Sequence, residues 1–330
     1  MKKQKSYLSK GLIAGLIVFL SITMVVTLFA DTSKSNYKVS NGQIQNRIDA
    51  KTVFIVDKVV TGNVTLSKPQ EGAIVDKRTN TESENQTNTS TQSVAEITTE
   101  KMSVKTINAS RTVSSLTEML ENQKIGVSQN ATAEQVYNYA NPESRYSDNK
   151  KVFQFLQINR YREINESQLN EYLEGSGILE GKADVFIAAA KKYNVDAVYL
   201  VAHAIHETGR GTSALAKGIS VDGVTVYNFW GIHAYDASPN ASGSGLAADE
   251  KWNTVDEAIY GGTEWISKNY INAGQNFVYK MKFNFDKGQE WHGYATDIAW
   301  PDKIAEYMYE MSYVYSSAET FEFYKVIYDK

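Results

Sequence analysis

The hydrophobic positions divide the chain into three parts. Residues 11–30 (GLIAGLIVFLSITMVVTLFA) are uncharged and mostly apolar, residues 79–93 contain no hydrophobic side chain, and from about residue 134 onward apolar positions recur at helical spacing. An uninterrupted apolar stretch is typical of a membrane span, a wholly polar one of an unstructured linker, and a periodic one of amphipathic helices.

The periodic part predicts a mainly helical α+β domain at 141–330. Amphipathic spacing predicts a helix at 182–194, and a more uniformly apolar pattern at 195–209 predicts a buried central helix. The glycine- and aromatic-rich stretch 221–244 predicts a loop or a small β-containing lobe. Further helices are predicted at 167–175, 255–271 and 301–315.

The N-terminus has the pattern of a signal anchor. Lys2, Lys3, Lys5 and Lys10 precede the apolar segment, and twenty helical residues span about 30 Å, the thickness of a bilayer core. The sequence therefore predicts a cytoplasmic tail at 1–10, a single transmembrane helix at 11–30 and an extracytoplasmic remainder. The alternative is a cleaved signal peptide, whose apolar region is usually only about 7–15 residues long.

Residues 31–140 are predicted to be mostly a low-complexity extracytoplasmic linker. The alternating stretch 51–66 predicts one or two strands inside it, a small β element that is marginal by itself. A flexible coil of this length has a root-mean-square span of about 55–60 Å, so the linker would let the C-terminal domain reach the space just outside the membrane.

Composition removes several functional classes. A net charge of −4 and a pI near 5.7 argue against nucleic acid as a partner. The chain contains no cysteine, which excludes disulfides, a thiolate nucleophile, cysteine zinc ligands and a lipoprotein anchor.

The stretch 202–213, AHAIHETGRGTS, contains the densest candidate chemistry. His203, His206 and Glu207 stand at i, i+3 and i+4, roughly on one helical face. Zinc peptidases use two histidines at i and i+4 with an adjacent glutamate, which is a different spacing. A third ligand would have to be His233, His292 or an acid, and no motif marks one. The pattern favours buried, hydrogen-bonded histidines and no metal.

Glu207 is the candidate general acid. It precedes Gly209, which is predicted to end the helix, and the partial negative charge there opposes ionisation of a carboxyl group. Desolvation would raise its pKa further. A carboxyl group that is protonated near neutral pH suits glycosidic cleavage. The alternative is an ordinary solvated glutamate at a helix end.

Three motifs in order resemble the peptidoglycan N-acetylglucosaminidases of glycoside hydrolase family 73. They are AHAIHETGRGTSALAKG at 202–218, YNFWGIHAYD at 227–236 and YATDIAWPDKIAEYM at 294–308, and the similarity covers roughly 141–317. The resemblance implies a lysozyme-like fold, Glu207 as the catalytic acid, and no cofactor.

The resemblance also implies further site residues. It points to Asn228, Trp230, Tyr235, Trp300 and His206 as substrate-binding residues, each with core packing or structural support as its alternative. Tyr294 would orient the substrate or a water molecule. The second carboxylate is open among Asp236, Asp249, Glu250 and Asp297, with Asp236 and Asp297 preferred, and a substrate-assisted route needs none of them.

Together these features predict a membrane-anchored hydrolase that cuts the β-1,4 bond after N-acetylglucosamine in peptidoglycan strands. The rival functions are a lytic transglycosylase with 1,6-anhydro products, a non-catalytic glycan-binding scaffold, and a zinc peptidase. The expected partners are glycan strands and the membrane, and no motif identifies a membrane-protein partner.

Overall fold

The structure is a computed structural model that describes residues 63–65, 96–98, 101–122, 131–235 and 237–330. The predicted basic tail at 1–10 and the predicted membrane helix at 11–30 lie outside these residues. Within the described part of the chain, no helix is both long enough and apolar enough to cross a membrane.

The described elements form a mainly helical α+β fold, as the periodicity predicts. The strands are β1 (Asn63–Thr65), β2 (Glu96–Thr98), β3 (Met102–Ala109), β4 (Ile219–Val221), β5 (Val224–Val226) and β6 (Phe321–Tyr328). The α-helices are α1 (Val113–Asn122), α2 (Ala133–Ala140), α3 (Glu143–Tyr146), α4 (Glu166–Leu173), α5 (Ala183–Tyr193), α6 (Ala197–Thr208), α7 (Ala214–Lys217), α8 (Pro239–Asp249), α9 (Val255–Ile266), α10 (Val278–Lys282) and α11 (Trp300–Glu310). A π-helical segment at Ser267–Ile271 extends α9. Short 3₁₀ helices occupy Lys151–Phe155, Gly177–Leu179 and Ser312–Val314.

Helix α6 is the buried centre of the domain. Its N-cap Asp196 accepts a hydrogen bond from the Tyr199 N–H at 3.0 Å, and Gly209 ends the helix in the left-handed region at φ 55°. Every helix residue except His206 and Glu207 is buried, which agrees with its nearly uniform apolar pattern. Because only these two side chains reach the surface, the helix presents its last turn to solvent.

Part of the segment predicted as linker is folded onto the domain. Strand β3 pairs in parallel with the C-terminal strand β6, in a register that runs from Met102 opposite Phe321 to Ala109 opposite Tyr328. Helices α1 and α2 follow, and both bury apolar side chains. The folded domain therefore begins well before the predicted boundary at residue 141. Local sequence pattern could not reveal this, because the partner strand of β3 lies at the other end of the chain.

The two remaining sheets are short antiparallel pairs. Strands β1 and β2 pair in the register of Asn63 opposite Thr98, so the one described strand within 51–66 pairs with a distant segment. Strands β4 and β5 form a hairpin with Ile219 opposite Val226, which supplies the predicted small β lobe. Helix α8 begins inside 221–244, where a loop or small lobe was predicted. The sequence did not indicate this helix, because PNASGSGLAAD is rich in glycine and serine and lacks a helical pattern.

Candidate active site

Glu207 lies in the last turn of α6, one residue before the final helical residue, Thr208. Its side chain is 23% exposed, whereas His203, one turn earlier, is fully buried. The carboxyl group is therefore at the surface end of an otherwise buried helix, close to the unpaired carbonyl groups of the helix C-terminus.

The two carboxyl oxygens of Glu207 have different surroundings. The Trp300 indole N–H donates a 2.9 Å hydrogen bond to Oε1, and His203 Nε2 lies 3.5 Å from the same oxygen. The Oε2 atom faces Gly231, where an added Cβ would lie only 3.2 Å from it. Oε1 thus receives the Trp300 hydrogen bond, while Oε2 lies against the partly exposed Gly231.

The expectation of a raised pKa for Glu207 is corrected by this geometry. Burial raises the pKa of the carboxyl group, but the proximity of His203 and the Trp300 hydrogen bond outweigh it, so the net pKa lies below the ordinary value. The helix end and desolvation were visible in the sequence, whereas the opposing donors are brought in by tertiary packing. The free site therefore holds Glu207 as a carboxylate near neutral pH.

His203 and His206, the two histidines of the stretch 202–213, both interact with Glu207. Burial lowers the pKa of His203 and of His206, against the opposing influence of Glu207. His233 contacts Trp265 at 5.7 Å between ring centroids, and His292 stacks on the Tyr270 ring at 4.3 Å. In the described ranges, no group of three or more histidine, aspartate or glutamate side chains is arranged to hold a metal ion.

Trp300 and Tyr294 form a fixed wall beside the carboxyl group. Their rings stack at 5.2 Å with an interplanar angle of 17°, and Trp300 is only 1% exposed. The Tyr294 hydroxyl donates a 2.7 Å hydrogen bond to the Trp230 carbonyl, and burial raises its pKa well above the usual range. Trp300 is thus a donor to Glu207, in place of the sugar-stacking surface that was predicted, and Tyr294 joins the wall to the loop at 228–232.

Two residues predicted to bind substrate are instead part of the core. Trp230 is fully buried, and its indole N–H donates to the Leu200 carbonyl at 3.2 Å. Asn228 is 1% exposed. Its amide binds four backbone groups, those of Trp230 and Ile232 in the loop and that of Gly243 in α8. These two residues set the shape of the loop that carries Gly231 and are not available to a ligand.

The candidate second carboxylates occupy different places. Asp297 accepts hydrogen bonds from the Ala299 N–H at 2.9 Å and from the Lys303 ammonium at 2.5 Å, and it interacts electrostatically with His206. Burial raises its pKa, but the Lys303 and Ala299 hydrogen bonds outweigh this and lower the net pKa. Asp236 lies outside the described residues. Asp249 and Glu250 are exposed at the end of α8.

Two further aromatic side chains, those of Tyr235 and Trp291, are exposed. Tyr235 is 61% exposed, stacks with His233 at 5.4 Å, and interacts with Tyr270, whose ring contacts Tyr294 at 5.0 Å. Trp291, 54% exposed, is an aromatic residue that sequence reasoning missed, although it stands three positions before the YATD motif. Tyr235 therefore has the exposure that its predicted role requires.

Lys282 is another residue that the sequence did not single out. It is 1% exposed, its ammonium donates to the Ala295 carbonyl at 2.6 Å, and burial lowers its pKa to about 7. Because Ala295 directly follows Tyr294, this buried lysine holds the backbone of the loop that leads to Asp297.

Comparison with known proteins gives one consistent result. The family described as mannosyl-glycoprotein endo-beta-N-acetylglucosaminidase (glucosaminidase) matches residues 183–313. A beta-N-acetylglucosaminidase of Bacillus subtilis is 40% identical over 186 residues, covering 55% of this chain and 21% of that protein. A bifunctional autolysin of Staphylococcus aureus is 40% identical over 156 residues, covering 45% of this chain and 12% of that protein. The chain thus spans only a minor part of these curated relatives.

A solved structure extends the similarity to the fold. A catalytic mutant of S. aureus autolysin E, in which a glutamate is replaced by alanine, was solved with the disaccharide NAG-NAM. It superposes with a TM-score of 0.55 at 31% identity and covers 66% of this chain and 100% of that chain. The family match covers the central helix that carries Glu207 in its last turn, and the superposition gives the same fold. The chain therefore belongs to the glucosaminidase family.

Proposed function

We propose that this chain is a peptidoglycan hydrolase that cleaves the β-1,4 bond after N-acetylglucosamine, with Glu207 as the general acid. The observation that carries the proposal is the asymmetry of the Glu207 carboxyl group, with Oε1 held by the Trp300 N–H and Oε2 lying against the partly exposed Gly231. The structure of an autolysin E catalytic glutamate mutant with NAG-NAM supports the choice of both substrate and residue type.

In the proposed reaction, Glu207 takes up a proton as the glycan binds. A bound sugar covers the exposed 23% of the side chain, and this further desolvation raises the pKa of the carboxyl group. The proton on Oε2 then passes to the glycosidic oxygen as the bond to the anomeric carbon breaks. Trp300 stabilises the carboxylate that remains, because its N–H already points at Oε1.

For the second catalytic group we keep Asp236 and Asp297 as the candidates. The lowered pKa of Asp297 keeps it ionised near neutral pH, as a base or nucleophile requires. An inverting enzyme needs a carboxylate separation of about 6.5–9.5 Å and a retaining one about 5–5.5 Å. The anomeric configuration of the first product decides between these routes, and full activity of both Asp236→Asn and Asp297→Asn would favour assistance by the substrate acetamido group.

We propose that Tyr235 binds the glycan by ring stacking, because it is exposed and interacts with Tyr270, whose ring contacts Tyr294 in the wall beside Glu207. Sugar rings have apolar faces that pack on aromatic rings. Tyr235→Ala should raise KM for solubilised glycan strands while kcat changes little, and an unchanged KM would argue against this contact.

The decisive test of the function is Glu207→Gln in the full chain. This variant keeps the shape of the side chain but carries no acidic proton, so release of wall fragments from purified peptidoglycan should fall by at least about 10²-fold. Mass spectrometry of the wild-type digest should show reducing N-acetylglucosamine ends. Anhydro-muramic ends would identify a lytic transglycosylase, and no turnover by a correctly folded wild type would support a glycan-binding scaffold.

We further propose that the chain is a single-pass membrane protein, with residues 11–30 as an uncleaved anchor and the catalytic domain facing the wall. The four lysines before residue 11 and the uncharged apolar stretch support this topology. The full chain should sediment with membranes and the 31–330 form should not. Recovery of a form that starts at residue 31 from cells expressing the full chain would show that the segment is cleaved.

A further inference from the structure

Tyr199, His203 and Glu207 form a connected line along one face of α6. They are spaced four residues apart, so their side chains follow one another along the helix. The Tyr199 hydroxyl lies 3.1 Å from His203 Nδ1, and His203 Nε2 lies 3.5 Å from Glu207 Oε1. Only Glu207 reaches solvent, since the other two residues are fully buried.

The His203 imidazole is fixed in orientation by its neighbours. The ring of Tyr294 meets it edge to face at 4.5 Å, and the ring of Trp300 does so at 5.1 Å. Both rings belong to the wall that also contacts Glu207. The stacked pair of rings packs against the imidazole in the orientation that turns Nε2 toward the carboxyl group.

The surroundings of His203 determine which nitrogen carries its proton. Burial favours the neutral imidazole, which has a single N–H. His203 Nε2 is buried and makes no hydrogen bond that meets ordinary geometry, so the nearby Glu207 oxygen is the group it faces. A carboxylate oxygen favours the N–H on Nε2. The Tyr199 hydroxyl, which also lies 3.3 Å from the Met281 sulfur, then donates to the lone pair of Nδ1, the stronger acceptor.

We propose that His203 is a positioning residue for the glycosidase reaction, which directs the proton of Glu207 to Oε2 and stabilises the carboxylate left after proton transfer. The proposal rests on the proposed function of Glu207. Two N–H groups, from Trp300 and His203, converge on Oε1, so the acidic proton is placed on Oε2, the oxygen near Gly231. Tyr199 acts through His203 by fixing which nitrogen donates.

The proposed role of His203 predicts the direction in which the pH profile of activity should move when this residue is replaced. Catalysis by Glu207 needs the protonated carboxyl, so activity falls as pH rises through its pKa, and this fall is the alkaline limb of the profile. A donor to the carboxylate lowers that pKa, so removal of His203 raises it and moves the alkaline limb to higher pH. The other titratable groups that interact with Glu207 are His206, Tyr199 and Tyr294, and all three remain in the variant.

Lys303 and Asp297 influence the site indirectly, through His206. Lys303 lowers the pKa of His206 and Asp297 raises it. Neither is changed by a substitution at His203, so the movement of the limb reports the loss of the His203 donor.

The test compares His203→Leu with His203→Gln in the full chain, by following kcat, KM and the pH profile on solubilised glycan strands. His203→Leu removes the donor and should lower kcat by about 10–100-fold with KM unchanged, less than the ~10²–10³-fold typical of a donor that contacts the reacting group directly. The alkaline limb of its pH profile should move to higher pH. His203→Gln retains an N–H donor and should return the limb toward the wild-type position.

Tyr199→Phe provides a second route that leaves the imidazole in place. Without the hydroxyl, Nδ1 no longer receives a hydrogen bond from Tyr199, and the limb should move in the same direction as in His203→Leu but by less. The matched control is Tyr279→Phe, which removes another buried hydroxyl, one that bonds the Ala140 carbonyl and Tyr328 away from the site. Its limb should stay in place.

The outcomes separate this inference from the proposed function. A uniform loss of activity in His203→Leu and Tyr199→Phe, with the alkaline limb unmoved, would overturn the positioning role while Glu207 keeps its own. If His203→Leu does not fold, Tyr199→Phe and His203→Gln carry the comparison. Full activity of Glu207→Gln would instead overturn the function itself.

Discussion

At Glu207, two opposing physical effects act on one carboxyl group. Burial raises its pKa, while the Trp300 hydrogen bond and the proximity of His203 lower it, and these two neighbours outweigh burial. His203 is visible in the sequence one helical turn away, but Trp300 is 93 positions along the chain. The acid could therefore be identified from its local sequence, whereas its resting protonation state depends on a contact that only folding makes.

Gly231 is the residue whose substitution should most directly crowd the acid. It has a φ of 62°, and a Cβ there would lie 3.2 Å from Glu207 Oε2. Gly231→Ala should therefore displace the working oxygen by a few tenths of an ångström, and kcat should fall, by less than the ~10²-fold that a misplacement of about 1 Å costs. The measurement is kcat on glycan strands, together with the free energy of unfolding.

Gly181→Ala is the matched control for this change. Gly181 also has a positive φ, 72°, but an added Cβ there would meet no atom within 4 Å. Both variants should lose about 1–2 kcal/mol of stability from the left-handed backbone. If Gly181→Ala lost activity as severely as Gly231→Ala, backbone strain would explain the effect and crowding of Oε2 would not.

At the scale of the element, α6 is held by its two ends. Asp196 caps the N-terminus and also forms a 2.8 Å ion pair with Arg162, both side chains being fully buried. The Tyr315 hydroxyl donates to the other oxygen of Asp196 at 2.8 Å. The helix that carries the acid is thereby tied to two other parts of the chain at the end opposite Glu207.

Asp196→Ala should destabilise the domain strongly. It removes the cap and leaves the Arg162 charge buried without its partner, and such a change costs about 3–5 kcal/mol. Urea denaturation measures the effect. Asn165→Ala, which removes the exposed cap of α4, should cost only about 1 kcal/mol. Equal losses in the two variants would mean that the buried ion pair adds nothing beyond capping.

At the scale of the whole molecule, strand β3 joins the two ends of the described domain. Its eight residues pair with β6 throughout, and Arg111, just beyond it, forms a buried ion pair with Glu290. Glu290 directly precedes the exposed Trp291. Residues 102–111, inside the predicted linker, are therefore a structural part of the domain.

Truncation should locate the functional start of the domain. A chain that begins at residue 101 retains β3 and Arg111 and should match the full chain in thermal stability and wall hydrolysis. A chain that begins at residue 113 loses both and leaves Glu290 buried without its cation, which should cost at least about 3 kcal/mol. For a domain of this size, each kcal/mol lowers Tm by about 2–4 °C. Equal Tm values for the two truncations would contradict a structural role for β3.

The sequence by itself determined what depends on neighbouring residues. Helical periodicity predicted the mainly helical α+β fold and the position of α6, and the glycine after Thr208 marked where that helix ends. The spacing in AHAIHETG separated the motif from zinc peptidases and left Glu207 as the candidate acid. Each of these inferences depends on residues within a few turns of each other, so local pattern was sufficient.

Tertiary structure decided which side chains face the ligand. Trp230 and Asn228 stand in a motif that suggested sugar binding, yet packing buries one and saturates the amide of the other with backbone hydrogen bonds. Trp300 likewise became a hydrogen-bond donor, and β3 found its partner at the far end of the chain. Exposure, distant pairing and pKa all depend on what the rest of the chain places around a residue, and periodicity does not contain that information.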